Sequence, residues 1–331
     1  MPCYHPLTAY YARKENDSGK RSLVFDVSLA LADVPVQIPC GRCIGCRLDR
    51  SLSWALRCVH EASLHDQNCF VTLTFNDSSL PSDASLKVAD FQNFMKRLRQ
   101  EVSPRKVRFF HCGEYGAQFS RPHHHACLFG YDFPDKVLFK KSKKGNIYTS
   151  QLLAKLWPFG FSTVGDVTFE SAAYVARYVM KKWSKENLSG QALYDAMEAL
   201  KEWRKDPYNE ELRVKAHSAE VVDVKSFYGG KHPEYITMSR RPGIGSDWYD
   251  KFKSDIYPLG FCVLPGGKKV KLPKFYDSRF ELDNFIEFAT MKGMRLVRAQ
   301  EDPNNSKRRL EDREAVKLSK SNFLIRGYEN G

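Results

Sequence analysis

Three consecutive histidines open an apolar run in Arg121-Pro122-His123-His124-His125-Ala126-Cys127-Leu128-Phe129-Gly130. If the run is a β-strand, alternation sends His123 and His125 to one face and His124, Ala126 and Leu128 to the other. Just upstream, Phe109-Phe110-His111-Cys112-Gly113-Glu114-Tyr115-Gly116 sets a carboxylate between two glycines. A short loop between two apolar runs predicts an antiparallel hairpin, which brings Glu114 beside the imidazoles. Two neutral imidazoles and a carboxylate form a three-donor set for a divalent ion, with open positions for water or a phosphate oxygen. The plainer alternative is a strand with surface or core-edge histidines, so the weight falls on what accompanies them.

A second group is Ala173-Tyr174-Val175-Ala176-Arg177-Tyr178-Val179-Met180-Lys181-Lys182-Trp183. On a helix, residues four apart differ by only about 40° in direction, so Tyr174 and Tyr178 share a face. Lys181 projects between them and Lys182 just beyond Tyr178, while Val175 and Val179 form a stripe suited to packing on a sheet. Such a pair is ordinarily a core or interface pair, but after a His-x-His strand in a basic chain it becomes a candidate pair of nucleophiles. A third group, Cys40-Gly41-Arg42-Cys43-Ile44-Gly45-Cys46, has glycines that permit tight turns, so closely spaced sulfurs can converge on one ion. The expected ion is a structural zinc, and Cys3, His5, Cys58 and His60 are candidates for its fourth ligand. The alternative is a reduced cysteine cluster that binds nothing.

The elements that must position these groups follow from periodicity. Cys69 to Asn76 alternates like a central strand, and Ser85 to Val102 has the spacing of an amphipathic helix with a basic face. Residues 132–149, with Lys136, Lys140, Lys141, Lys143 and Lys144, read as an exposed basic loop. Gln151 to Trp157 is a short helix stopped by Pro158, Gly160 to Phe169 a strand, and Glu170 to Lys185 the tyrosine helix. The resulting order predicts an α+β fold, an antiparallel sheet with helices on one face, of the ferredoxin-like kind. Before it, Leu48 to His65 reads as a helix. After it, residues 186–220 read as one or two exposed helices, Gly266-Gly267 as a hairpin turn and Lys307 to Lys320 as a charged terminal helix or tail. Aromatic, basic and glycine residues interleave around Phe227-Tyr228-Gly229-Gly230 and Tyr235 to Gly245, which suits DNA contact or a glycine-rich loop over a small core. The expected division is a Cys-rich segment at 1–66, a catalytic core at 67–186 and a basic region with DNA contacts at 187–331.

Composition agrees with an acidic partner. The 331 residues carry a net charge of +13, and 13% are aromatic, which favours nucleic acid over a merely solvated basic surface. No apolar run approaches the ~18–20 residues of a membrane span, and the start lacks a signal-peptide pattern. Nine cysteines, an odd number with metal-like spacing, point to thiols in a reducing compartment.

Thr72-Leu73-Thr74, Arg121-Pro122-His123-His124-His125 and Tyr174-x-x-x-Tyr178 with Lys181-Lys182 together resemble the HUH endonucleases that initiate rolling-circle replication. The two-tyrosine form resembles the replication initiators of small single-stranded DNA phages of the microvirus family. The cysteine cluster, Cys112-Gly113-Glu114-Tyr115-Gly116 and Met238-Ser239-Arg240-Arg241-Pro242-Gly243-Ile244-Gly245 resemble the gokushovirus type. Two positions depart from that pattern: His124 stands where a bulky apolar residue is usual, and Arg177 where lysine is common. The resemblance implies Mg2+ or Mn2+ held by His123, His125 and Glu114. It also implies Tyr174 and Tyr178 as nucleophiles, with Lys181 and Lys182 supporting them. The implied reaction nicks the double-stranded replicative form at the origin, links tyrosine to the 5′ phosphate and later rejoins the displaced strand into a circle. Implied partners are single- and double-stranded phage DNA and host helicase, polymerase and single-strand-binding protein in the bacterial cytoplasm, with no membrane. A one-tyrosine transposase or relaxase would share the histidines but not the paired tyrosines. A non-catalytic packaging protein would share the charge but has no use for the His-x-His and Glu set.

Overall fold

The computed structural model describes residues 3–17, 21–116, 120–142, 145–177, 231–257, 259–264 and 267–322. Tyr178, Lys181, Lys182, the expected helices at 186–220 and residues 227–230 lie outside them. The chain divides into two compact units, one of residues 1–50 with 277–331 and one of residues 51–276.

The second unit is α+β, built on a seven-stranded antiparallel sheet. Its strands are β4 (Asn68–Thr74), β5 (Arg108–Tyr115), β6 (Pro122–Phe129), β7 (Val137–Ser142), β8 (Gly145–Thr149), β9 (Ser162–Gly165) and β10 (Tyr235–Met238), in the order β10-β5-β6-β4-β9-β8-β7. The four central strands, read as β9-β4-β6-β5, alternate with two helices in the β-α-β-β-α-β plan of a ferredoxin-like core. Those helices are α2 (Val88–Glu101) and α3 (Gln151–Leu156), and both lie on one face. There Phe91, Phe94, Met95 and Leu98 interlock with Val71, Leu73, Ala126, Leu128 and Trp157, all nearly excluded from water. Strand β6 is buried on both faces, so the opposite face needs cover as well. Helix α4 (Phe169–Arg177) packs there on β5 and β6, and Trp54 of α1 (Ile44–Ala62) stacks on Phe110.

Residues 132–149 differ from the expected loop. Val137-Leu138-Phe139 and Ile147-Tyr148 pair as the β7–β8 hairpin, because Tyr148 packs on the core while Lys140 and Lys141 are exposed. The expected interleaved stretch is split: Tyr235–Met238 adds a strand at the edge of β5, and the glycines behind it turn into α5 (Ser246–Ile256). The first unit carries β1 (Leu7–Glu15), β2 (Arg21–Val24) and β3 (Val36–Ile38) in a small sheet, with α7 (Phe285–Glu301) and α8 (Lys307–Asn322). Helix α6 (Lys274–Asp283) runs across the boundary between units, and β11 (Phe261–Val263) and β12 (Lys269–Lys271) form the expected hairpin.

Candidate active site

Register assembles the site. Strand β6 lies between β4 and β5, so each of its residues faces one residue on either side. His123 stands between Thr74 and Glu114, and His125 between Thr72 and Cys112. All of these project from the sheet face that α4 covers, whereas His124 projects into the α2 core against Phe91, Trp157 and His111. The two imidazole rings are 6.3 Å apart. Thr72 Oγ1 lies 3.0 Å from His125 Nδ1, and Thr74 Oγ1 lies 2.9 Å from His123 Nδ1. Each threonine therefore fixes one ring nitrogen and turns Nε2 outward, the arrangement second-shell partners give to metal-binding histidines.

Glu114 is 3% exposed, and its Oε1 lies 2.7 Å from His125 Nε2. The Tyr174 hydroxyl donates to the same oxygen at 2.6 Å, and its ring meets His125 edge-on at 5.0 Å. Helix α4 is placed to do this by a reciprocal cap. Thr168 N donates to Ser171 Oγ at 2.8 Å, and Ser171 N donates to Thr168 Oγ1 at 3.2 Å. The Arg177 guanidinium stands 5.9 Å from the Tyr174 ring. Burial, with His125 next in weight, lowers the His123 pKa to about 4, so the ring is neutral at ordinary pH and its nitrogens can act as donors. Imidazoles oriented from behind, beside a buried carboxylate, fit a divalent ion by chemistry. The structure brings together Glu114, His123, His125 and Tyr174 of the residues singled out in the sequence; Thr72 and Thr74 join them as orienting groups.

The cysteines form a separate cluster. The Sγ atoms of Cys3, Cys40, Cys43 and Cys46 all lie within 4.8 Å of one another, which is compatible with Zn2+. Cys3 supplies the fourth sulfur, while His5 pairs with Glu314, Cys58 is fully buried elsewhere and His60 stacks on Trp248. Burial raises the Cys40 thiol, but the amides of Cys43 and Arg42 and neighbouring thiols outweigh it and bring it to about 7. That favours thiolate at Cys40, the form a metal takes, whereas burial pushes the Cys3 and Cys46 thiols up. Leu310 of α8 closes over the cluster with Tyr4.

The Ser239-Arg240-Arg241-Pro242-Gly243-Ile244-Gly245 segment is gripped from below. Arg57, sandwiched between Trp54 and Phe275, donates to Ile244 O at 2.9 Å, and Gly245 N donates to Glu61 Oε2 at 2.7 Å. Arg108 pairs with Glu61 and donates to Pro242 O at 2.8 Å. Gly245 has φ +74°, and a Cβ there would lie 2.6 Å from the Tyr276 hydroxyl. Arg240 and Arg241 stay exposed at the crest. The stretch is therefore a glycine-rich loop packed over a small core, with its two arginines facing solvent.

Residues 68–183, a span that starts at β4 and includes α4, match the family model "Replication-associated protein ORF2/G2P". The chain is 30% identical over 251 residues to the replication-associated protein VP4 of Bdellovibrio phage phiMH2K, covering 73% of this chain and 67% of that one. It is 29% identical over 263 residues to the replication-associated protein ORF2 of Spiroplasma virus 4, covering 76% and 70%. Identity to the replication-associated protein ORF4 of Chlamydia phage 1 is 34% over 154 residues, covering 44% and 38%. No solved structure matches the chain. With the matched span carrying the strand register and Tyr174 described above, the chain belongs to the phage replication-associated proteins, of the microvirus initiator type.

Proposed function

We propose that this protein starts phage DNA replication by nicking the replicative form at its origin, holding the 5′ end as a phosphotyrosine and later rejoining the displaced strand into a circle. The observation that carries the reading is the contact of the Tyr174 hydroxyl with Glu114, on the face where His123 and His125 stand. A divalent ion, Mg2+ or Mn2+, held by His123, His125 and Glu114 would draw charge from a phosphate oxygen. Thr72 and Thr74 hold the imidazoles in place, and α4 keeps water from the buried carboxylate. Glu114 orients the phenol and can accept its proton as the Tyr174 oxygen forms a bond to phosphorus. The phosphorus to 3′-oxygen bond breaks, and the leaving oxygen takes a proton to become a 3′-hydroxyl. A polymerase can extend that end, and the ester keeps the bond energy for rejoining. Tyr178 would serve as the second nucleophile when the origin is regenerated, with Lys181 and Lys182 stabilising the phenolate or the leaving oxygen. Their roles rest on sequence and helical spacing.

Origin DNA is the principal partner in this reading, with host helicase, polymerase and single-strand-binding protein acting on the exposed strand in the host cytoplasm. Among the described residues no helix is long and apolar enough to cross a membrane. The test is incubation of the purified chain with labelled single-stranded DNA from the phage genome and Mn2+, followed by denaturing electrophoresis. The reading expects a shortened strand and a protein-linked strand in equal amounts, and strand binding without either product contradicts it.

A further inference from the structure

The row of side chains that builds the site continues across the sheet beyond Thr74. Strands β4 and β9 pair with Thr72 opposite Thr163 and Leu73 opposite Ser162, and Thr74 N donates to Phe161 O at 2.9 Å. Phe161 thus follows Thr74 in a line that runs Glu114, His123, Thr74, Phe161 over four neighbouring strands. Val164 and Ser162 are buried on the α2 side, so Phe161, one residue from Ser162, projects from the face that carries the imidazoles. It is 51% exposed. At about 4.8 Å per strand it stands about 10 Å from His123.

A second aromatic joins it by a local device. Strand β7 has a β-bulge, in which Leu138 pairs with Tyr148 but Lys140 already pairs with Ile147. A bulge sets two successive side chains on the same side of a strand. Tyr148 points into the core, so Ile147 and Lys140 lie on the other face, and Phe139 lies with them. The Phe139 and Phe161 rings meet at 5.5 Å, and Phe139 is 59% exposed. Lys140 beside them is exposed as well. Two exposed rings and a cation on the active face of a strongly basic protein are unfavourable as plain surface but match the faces and phosphates of unpaired bases.

We propose that Phe161 and Phe139, with Lys140, form a stacking step that holds unpaired bases close to the scissile phosphate. The inference rests on the nicking reading and identifies where that site grips its single strand. Its test uses the full chain, a fluorescein-labelled dT20 strand and a strand of equal length made of abasic sugar phosphates. Wild type is expected to bind dT20 more tightly than the abasic strand. Phe161→Ala and Phe139→Ala should each weaken dT20 binding about tenfold while changing abasic binding little, and Phe161→Trp should retain affinity. Lys140→Ala should instead weaken both strands and flatten the salt dependence. A Phe139→Ala/Phe161→Ala protein that binds dT20 as wild type does, or that loses equally on the abasic strand, overturns the step. Adduct formation in Mn2+, measured in parallel, separates the two ideas. A wild type that forms adduct but shows no preference for bases sinks the stacking step alone, whereas failure to form any adduct sinks the nicking reading beneath it.

Discussion

Thr72 and Thr74 each hold one imidazole by Nδ1, so the two rings are fixed by hydroxyls only a residue apart on one strand. Thr72→Val and Thr74→Val keep shape and remove that hold. Each is expected to raise the Mn2+ concentration needed for half-maximal cleavage by about 10- to 100-fold, measured by metal titration at fixed DNA. His123→Ala and His125→Ala should abolish cleavage with strand binding largely kept. His124→Ala should act differently, because His124 sits in the core with His111 and Trp157. It is expected to cost on the order of 2 kcal/mol of stability in denaturant melts, yet still cleave below its melting temperature. Equal loss of cleavage at His124 would break the assignment of faces. These faces were legible in the sequence, since period-two alternation over residues 123–129 decides them. The position of Phe161 beside Thr74 was not legible, because it depends on which strand lies beside β4.

Element by element, the site depends on where strands end. Gly160 has φ +153°, and a Cβ there would meet the Thr74 carbonyl oxygen at 2.3 Å, at the end of β4 that carries the His123 partner. Gly160→Ala should therefore lower stability by about 1–3 kcal/mol and cleavage along with it, which a thermal melt and adduct yield would read together. Helix α1 contributes a pH response. Burial lowers His60 to about 4, in a stack with Trp248 and beside the Tyr276 hydroxyl. The unfolded ring takes its proton near pH 6.5 and the folded one only near pH 4, so the unfolded state gains protons first as pH falls. Stability should drop between those values, by up to on the order of 3 kcal/mol from this group. A denaturant series from pH 7 to 4 checks it, and His60→Gln should flatten the fall. Strand β4, helix α2 and the β5–β6 hairpin could be read from periodicity alone. The β7–β8 hairpin could not, because its lysines mask a short apolar alternation broken by a bulge, and β10 is a strand only through its pairing with β5.

At the scale of the whole molecule, chain order and spatial grouping part company. Cys3 meets Cys40, Cys43 and Cys46 from far along the sequence, and Leu310 near the other end of the chain packs on them. Local spacing suggested three of those sulfurs and left the fourth open, because a contact of such separation leaves no periodic trace. One zinc per chain is expected by elemental analysis, falling to substoichiometric levels in Cys3→Ser and in a Cys40→Ser/Cys43→Ser double variant, while Cys58→Ser keeps its metal. A wild type without zinc would mean a cluster of plain thiols. The whole nicking and rejoining reaction turns on tyrosine carrying the DNA. The most direct measurement is mass spectrometry of peptides from the protein trapped on origin DNA in Mn2+, for wild type, Tyr174→Phe, Tyr178→Phe and the double variant. Nucleotide is expected on Tyr174 or Tyr178 in wild type, on the remaining tyrosine in each single variant, and no adduct in the double variant. Nucleotide on any other residue, or a double variant that still couples to DNA, would contradict it.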